Sequence, residues 1–487
     1  MKNIKIIFIS SLILILHSCD LNLQPISEIG EGSFYKTTDE MSAAVIACYN
    51  GLQRPMQNEW MLTELRSDNS RLYNLTTTST DNTLLFDFDQ ASVSATNQRV
   101  FEYWEAVYHN IARCNTVLKE EYLNVIKEDG LRNQFEGEAR FIRAYHYFNL
   151  VRLFGPVFIV SERISAQEAR DYDRSPIEDV YEFIIADLKS AIDKLPLVYV
   201  ADQKGRATSW AAKSLLVKVY MTLGKIDNET LGLLEDIYQH SGHGLLPDYS
   251  AVFDISNEVN NEIIFAIRYQ SGGIGLGSPF GNYFAPQLSG SSVINADGHG
   301  YNYPSMNLVV SYEEGDVRKD VTLAENYVNE RGQTIDRMYV KKYLSPVLSR
   351  YDGDKDWPVL RFSDIILLYA EVLNELEGPS AALPYLNEVR ERAHIPALKI
   401  EDFSNTHSMR MALEKERRVE LAYENHRWFD LIRTNRVLVV LNTHFMEEEY
   451  YSQLPDGVPP MTESSIILPI PQKEIDVNQH ITQNPGY

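Results

Sequence analysis

Residues 138–156 read Glu138-Ala139-Arg140-Phe141-Ile142-Arg143-Ala144-Tyr145-His146-Tyr147-Phe148-Asn149-Leu150-Val151-Arg152-Leu153-Phe154-Gly155-Pro156. They are the later part of a helix that covers roughly 132–154 and stops at Gly155-Pro156, where glycine supplies a positive φ and proline forbids continuation. Upstream, Met41, Ala44, Val45, Cys48, Tyr49 and Leu52 recur at the spacing of one helical face, with Thr38 or Asp39 as cap. A further helix is expected over roughly 97–126, where Phe101, Trp104, Tyr108, Ile111, Asn115, Leu118 and Tyr122 keep the 3.6-residue beat.

Downstream, Ser175-Pro176-Ile177-Glu178 combines an N-cap serine, a proline at the first helical position and a capping-box glutamate. It opens a helix through Val180, Tyr181, Ile184, Leu188 and Ile192. Another helix runs from about Thr208 to Leu223 with Gly224 as its stop, and a pair at roughly 361–377 and 380–393 turns at Gly378-Pro379. A long charged helix from Ser408 to about Arg436 completes the set. Helices in antiparallel pairs with short loops predict a mainly all-α fold of helical-repeat type. The stretches 55–96 and 225–360 differ: they are polar and irregular, with one alternating apolar strand from Glu262 to Tyr269, and form the expected ligand face.

The 487 residues carry 68 acidic and 45 basic side chains, a formal net charge of −23 that opposes any phosphate backbone and argues against a nucleic-acid partner. Lys2 and Lys5 precede an apolar run from Ile6 to Leu16, which ends in Leu16-His17-Ser18-Cys19. At about 1.5 Å per residue this run is too short to cross the hydrocarbon core, so residues 1–18 are read as a secretory signal. Cys19 is the expected site of lipidation, followed by a tether over 19–33 and a single domain over 34–487. Cys48 and Cys114, the other two cysteines, fall inside helical patterns and imply no disulfide framework.

Several motifs have a sharper reading and a plainer one. Glu416, Arg417, Arg418, Glu420, Glu424, Arg427, Asp430 and Arg433 could suggest paired catalytic carboxylates, but on one helix opposite charges three and four apart pair with each other. Gly273-Ile274-Gly275-Leu276-Gly277 follows a strand without opening a helix, which favours a binding loop over a dinucleotide cradle. Asp352, Asp354 and Asp356 imitate a calcium loop, yet Trp357 stands where glycine is needed, which favours a solvated turn. His240 and His243 lie in a turn-like stretch without cysteine, and no metal site is expected.

The sequence resembles the SusD/RagB family over nearly the whole mature chain. The resemblance is carried by Leu23-Gln24-Pro25, Cys48-Tyr49-Asn50-Gly51-Leu52, the 138–156 stretch and Pro358-Val359-Leu360-Arg361 with Leu368-Tyr369-Ala370-Glu371. Asn387-Glu388-Val389-Arg390-Glu391-Arg392-Ala393, Glu416 to Ala422, Arg427 to Arg433, and the tail from Leu468-Pro469-Ile470-Pro471 to Gln483-Asn484-Pro485-Gly486-Tyr487 add to it. It implies degenerate tetratricopeptide-like helix pairs, about 34–54, 97–224 and 361–436, packed against an irregular, loop-rich ligand region with a few short strands. It also implies an outer-membrane lipoprotein facing the cell exterior, partner of a SusC-like TonB-dependent transporter, that captures oligosaccharides for import. The family's pattern contains no catalytic residues and no cofactor. Peptide capture, as in the RagB branch, and a secreted glycoside hydrolase are the alternatives.

Saccharide binding needs flat rings for the apolar sugar face and Asp, Asn or Arg for the hydroxyls. Such residues cluster in the two irregular stretches: Trp60, Asp68, Asn69, Arg71 and Tyr73 in the first, Tyr283, Phe284, Tyr301, Asn302 and Tyr303 in the second, with Trp357 a further platform. Trp104, Trp210 and Trp428 sit on helical faces and are expected in the core.

Overall fold

A computed structural model describes residues 34–487 apart from 74–79, 163, 166, 201–202 and 453–456. The signal, Cys19 and the tether lie outside the described residues. The principal helices are α1 (Thr38–Asn50), α2 (Gln53–Leu62), α3 (Thr80–Asp89), α4 (Gln98–Val117), α5 (Asp129–Phe154), α6 (Ile177–Lys194), α7 (Ser209–Thr222), α8 (Asn228–His240), α9 (Phe362–Leu376), α10 (Pro379–Arg392), α11 (Thr406–Glu420), α12 (Arg427–Arg433) and α13 (Val437–Glu447). Four of the short strands matter here: β1 (Ser70–Arg71), β2 (Ile263–Ile267), β3 (Tyr303–Pro304) and β4 (Trp357–Arg361), paired antiparallel as β1 with β3 and β2 with β4.

Consecutive helices pack on one another as α5 with α6, α7 with α8 and α9 with α10, and a contiguous apolar core runs from Met41 to Ile481. The expected mainly α-helical repeat scaffold is therefore present. α5 ends where the sequence places its stop: Gly155 has φ 71° and its N–H reaches back to the Val151 carbonyl. Gly378 at φ 94° with Pro379 at the first position of α10 turns the chain between α9 and α10. Trp104, Trp210 and Trp428 are all buried.

The structure corrects several expectations. Thr37 caps α1, its hydroxyl accepting from the Glu40 N–H, so the cap falls one residue before Thr38. Ser175 does not cap α6; its N–H instead bonds the Val157 carbonyl. The segment 97–126 is broken after Val117, and a short second helix covers Glu120–Leu123. The stretch 55–96 is not irregular throughout, since α2 and α3 lie in it, and α8 occupies the start of 225–360. β2 does not alternate: four of its five residues are buried, with β4 hydrogen-bonded along its edge and helices packed against it, Tyr49 and Phe141 meeting Phe265.

The charged run forms two helices, α11 and α12, rather than one, with Tyr423 at φ 66° and Asn425 at φ 64° in the turn between them. Its charges pair across elements far more than along the helix. Glu420 accepts from Arg392 at 2.5 Å, Arg361 at 3.1 Å and Arg318 at 3.2 Å, all but excluded from water. Glu424 takes Arg361 and Lys342, Arg417 takes Asp364 and Asp430, and Asp430 to Arg433 is the expected in-helix spacing. Breaking one such pair would strand a charge in the core at a cost of about 3–5 kcal/mol. This network ties the last helices to β4, α10 and the short helix Val317–Thr322, and so to the half that carries the irregular loops.

Candidate functional site

The two stretches singled out in the sequence meet. Ser70 and Arg71 pair with Pro304 and Tyr303, the Ser305 N–H donates to the Asn69 carbonyl at 3.0 Å, and the Ser305 hydroxyl donates to the Asp68 carbonyl at 2.6 Å. Above this seam stands a column of near-parallel rings. Trp60 and Tyr301 have centroids 5.8 Å apart at 23°, Tyr301 and His299 4.8 Å at 19°, and His299 and Tyr351 5.7 Å at 14°. Trp60 is fully buried, Tyr301 and His299 are half-buried, and Tyr351 is 38% exposed. The column thus runs from core to solvent. Tyr283 flanks it, within 6.2 Å of each of the four rings.

One buried amide positions the upper rings. Asn282, on the short helix Phe280–Phe284, donates through Nδ2 to the carbonyls of Asn295 (3.1 Å) and Asp297 (2.8 Å), while its Oδ1 accepts the Tyr351 N–H at 2.9 Å. Backbone bonds complete the mount: His299 N–H to Asn282 O, Gly300 N–H to Ala285 O, Tyr301 N–H to Tyr283 O. Gly298 is required by close approach, since a Cβ there would lie 2.2 Å from the Ala285 carbonyl oxygen. Tyr351 takes φ 66°, a conformation a bulky residue adopts only where surroundings impose it. The Asn282 bond to its N–H is part of that imposition. His299 Nε2 and the Tyr351 hydroxyl are hydrogen-bonded to each other.

A second cluster holds two rings between two cations. Arg337 lies over Tyr73 with Cζ 4.3 Å from the centroid, Tyr73 and Tyr303 are 5.1 Å apart, and Arg71 lies 4.5 Å over Tyr303. Arg71 also donates from Nε to Glu448 at 3.1 Å, and Arg337 Nη1 donates to the Gln287 carbonyl at 2.7 Å, tying this cluster to the loop beneath His299.

The other sequence candidates lie inside. Asp68 receives Arg427 at 2.7 Å and Arg418 at 3.0 Å, which hold its carboxyl well below the usual range against the cost of burial. Asn69 bridges Glu64 and Arg418, and Asn302 accepts from Ser70 through its side chain at φ 57°. Phe284 packs edge-on against Trp60. Trp357 is buried between Tyr343, stacked at 4.4 Å and 9°, and Phe280. These residues build the seat, and the rings that reach solvent are Tyr283, Tyr301, Tyr73 and, unforeseen in the sequence, His299 and Tyr351.

Nor do Asp352, Asp354 and Asp356 form a solvated turn. Asp352 accepts the N–H groups of Gly272 and Gly273, Asp354 that of Ser271 and Asp356 that of Tyr269. Part of the glycine loop's N–H supply is therefore already taken by the chain's own carboxylates. His240 bonds Asp236 and His243 the Asn261 carbonyl. Among the described residues no group of three or more metal-ligating side chains comes together.

A helical-repeat scaffold packed against a loop-bearing half defines the architectural class of the protein. The family model described as "SusD family" matches residues 311–487, and that described as "Starch-binding associating with outer membrane" matches residues 31–221. The chain belongs to the SusD family. It is 28% identical to SusD-like protein P25 of Formosa agariphila over the full length of both chains. It is 26% identical to a SusD-like protein of Bacteroides ovatus, over 75% of this chain and 71% of that one. Among solved structures it is similar to a laminarin binding SusD-like protein, with 25% identity and TM-score 0.79 over 93% of this chain and all of that one. Surface glycan-binding protein A from Bacteroides thetaiotaomicron, at 21% identity and TM-score 0.79 over 93% and 100%, shares the fold.

Proposed function

We propose that this protein captures glycan at the cell surface through the ring column, as the lipid-anchored partner and lid of a SusC-like TonB-dependent transporter, without a bond-breaking step. The observation that carries this reading is the graded column itself, rigid at Trp60 and open at Tyr351. Ring faces fixed in place stack on the apolar face of a sugar at little entropic cost, which is where such binding gains most of its affinity. The laminarin binding of a relative with the same architecture supports a glycan over a peptide. Anchoring rests on the signal and Cys19 in the sequence.

Native-gel retardation of the protein through gels containing plant, host and microbial polysaccharides tests the reading, with oligopeptides tried in parallel by thermal shift. Retardation is expected with at least one polysaccharide and no release of reducing sugar, and Tyr301→Ala with Tyr351→Ala abolishes it. A shift with peptides alone, or product release, overturns it. Cys19→Ser is expected to free the protein from membranes.

A further inference from the structure

The site is rimmed by guanidinium groups that have nothing acidic to hold. Arg71 is neutralised by Glu448, but Arg337 and Arg350 form no ion pair among the described residues. Arg337 stacks on Tyr73, spends one N–H on the neutral Gln287 carbonyl and keeps a buried Nε without a partner. Arg350 is exposed, its Cζ 5.5 Å from the centroid of Tyr351, the open end of the ring column.

Acidic side chains outnumber basic ones in a chain of net charge −23, yet among the described residues none of them pairs with either guanidinium. The carboxylates on the same loops are turned elsewhere. Asp297 accepts the N–H groups of Gly290 and Gly298, Glu330 accepts the N–H and hydroxyl of Ser291, and Glu448 accepts Arg71 and the Met306 N–H. Asp336, the exposed neighbour of Arg337, makes no ion pair with it. Two guanidiniums, each beside a ring of the site, present planar forks of the kind that take carboxylate or sulfate oxygens.

Resting on the glycan-capture reading above, we propose that the glycan this site takes is anionic, bearing uronate carboxylates or sulfate esters that pair with Arg337 and Arg350 while its rings stack on the column. The strongly acidic remainder of the surface repels polyanions, so binding of this kind is confined to the rimmed site.

Calorimetric titration of the purified protein with laminarin, alginate and a carrageenan decides it, at about 50 and about 300 mM salt, where screening lengths differ more than twofold. The neutral polymer is the control, and the two anionic ones separate carboxylate from sulfate. The expected result is binding of alginate or carrageenan in preference to laminarin, weakened by salt, and reduced roughly tenfold in R337Q/R350Q. Binding of laminarin alone, or anionic binding untouched by R337Q/R350Q, overturns the anionic assignment and leaves glycan capture standing. Failure of all three polymers, together with silence across the polysaccharide gels, overturns glycan capture itself.

Discussion

Glu59 precedes Trp60 and lies beneath the ring column, its carboxylate reached by the hydroxyls of Tyr103 (3.3 Å) and Tyr145 (3.4 Å) and by Asn149 Nδ2 (3.1 Å). Burial pushes it up to about 7, against the partial relief of Arg152 and these donors; Glu64 and Asp89 are likewise pushed up to about 7 by burial. A carboxyl raised in the folded state stabilises the fold fully below its unfolded range and loses that contribution as pH rises through about 7. His426 and His444, lowered by burial to about 3 and about 4, act in the opposite sense, but only below the ordinary histidine range. Between pH 6.5 and 8 the carboxyls therefore govern, and the melting temperature is expected to fall across that window. Glu59→Gln, which keeps the shape and removes the titration, is expected to flatten the fall, and calorimetric melts at both ends of the window check it. An unchanged slope contradicts the assignment.

At the scale of elements, the mount of the column is a shared amide rather than a helix. Asn282→Ala removes three buried hydrogen bonds and is expected to cost about 2–3 kcal/mol and to weaken glycan binding by tenfold or more. Asn282→Asp keeps the acceptor for the Tyr351 N–H but sets a carboxylate oxygen against the Asn295 and Asp297 carbonyl oxygens, so it is expected to weaken binding at least as much as the alanine variant. Denaturation and titration of both variants test this, and full affinity in the alanine variant contradicts it. The elements themselves were legible where their signals are local. Gly155-Pro156 and Gly378-Pro379 mark their stops because the required backbone conformation is a property of those residues. The column was not legible, because Trp60 comes from one stretch, Tyr301 and Tyr351 lie far apart in the other, and His299 and Tyr351 carry no distinguishing neighbours. A tyrosine held at positive φ is visible only once the chain is folded. Trp60 and Trp357, expected from the sequence as ring platforms, are both buried, Trp60 at the inner end of the column and Trp357 between Tyr343 and Phe280.

Across the whole molecule, the scaffold and the seat are joined by the buried charges of β4, α10, α11 and the short helix Val317–Thr322. In the sequence these charges read as pairs along one helix, since helical spacing alone cannot tell an in-helix pair from a partner on another element. The structure spends them between elements, which fixes how the loop-bearing half sits on the helices and hence where the column meets solvent. Family membership and fold were open to reading because many local motifs agree. The proposed ligand surface was readable only as two stretches of the right composition. The most direct measurement is a crystal structure of the protein with a glycan that retards it. The account predicts a sugar ring against Tyr351, His299 or Tyr301, with its substituents within reach of Arg337 and Arg350. A glycan bound on the helical-repeat face, with the column untouched, would contradict it.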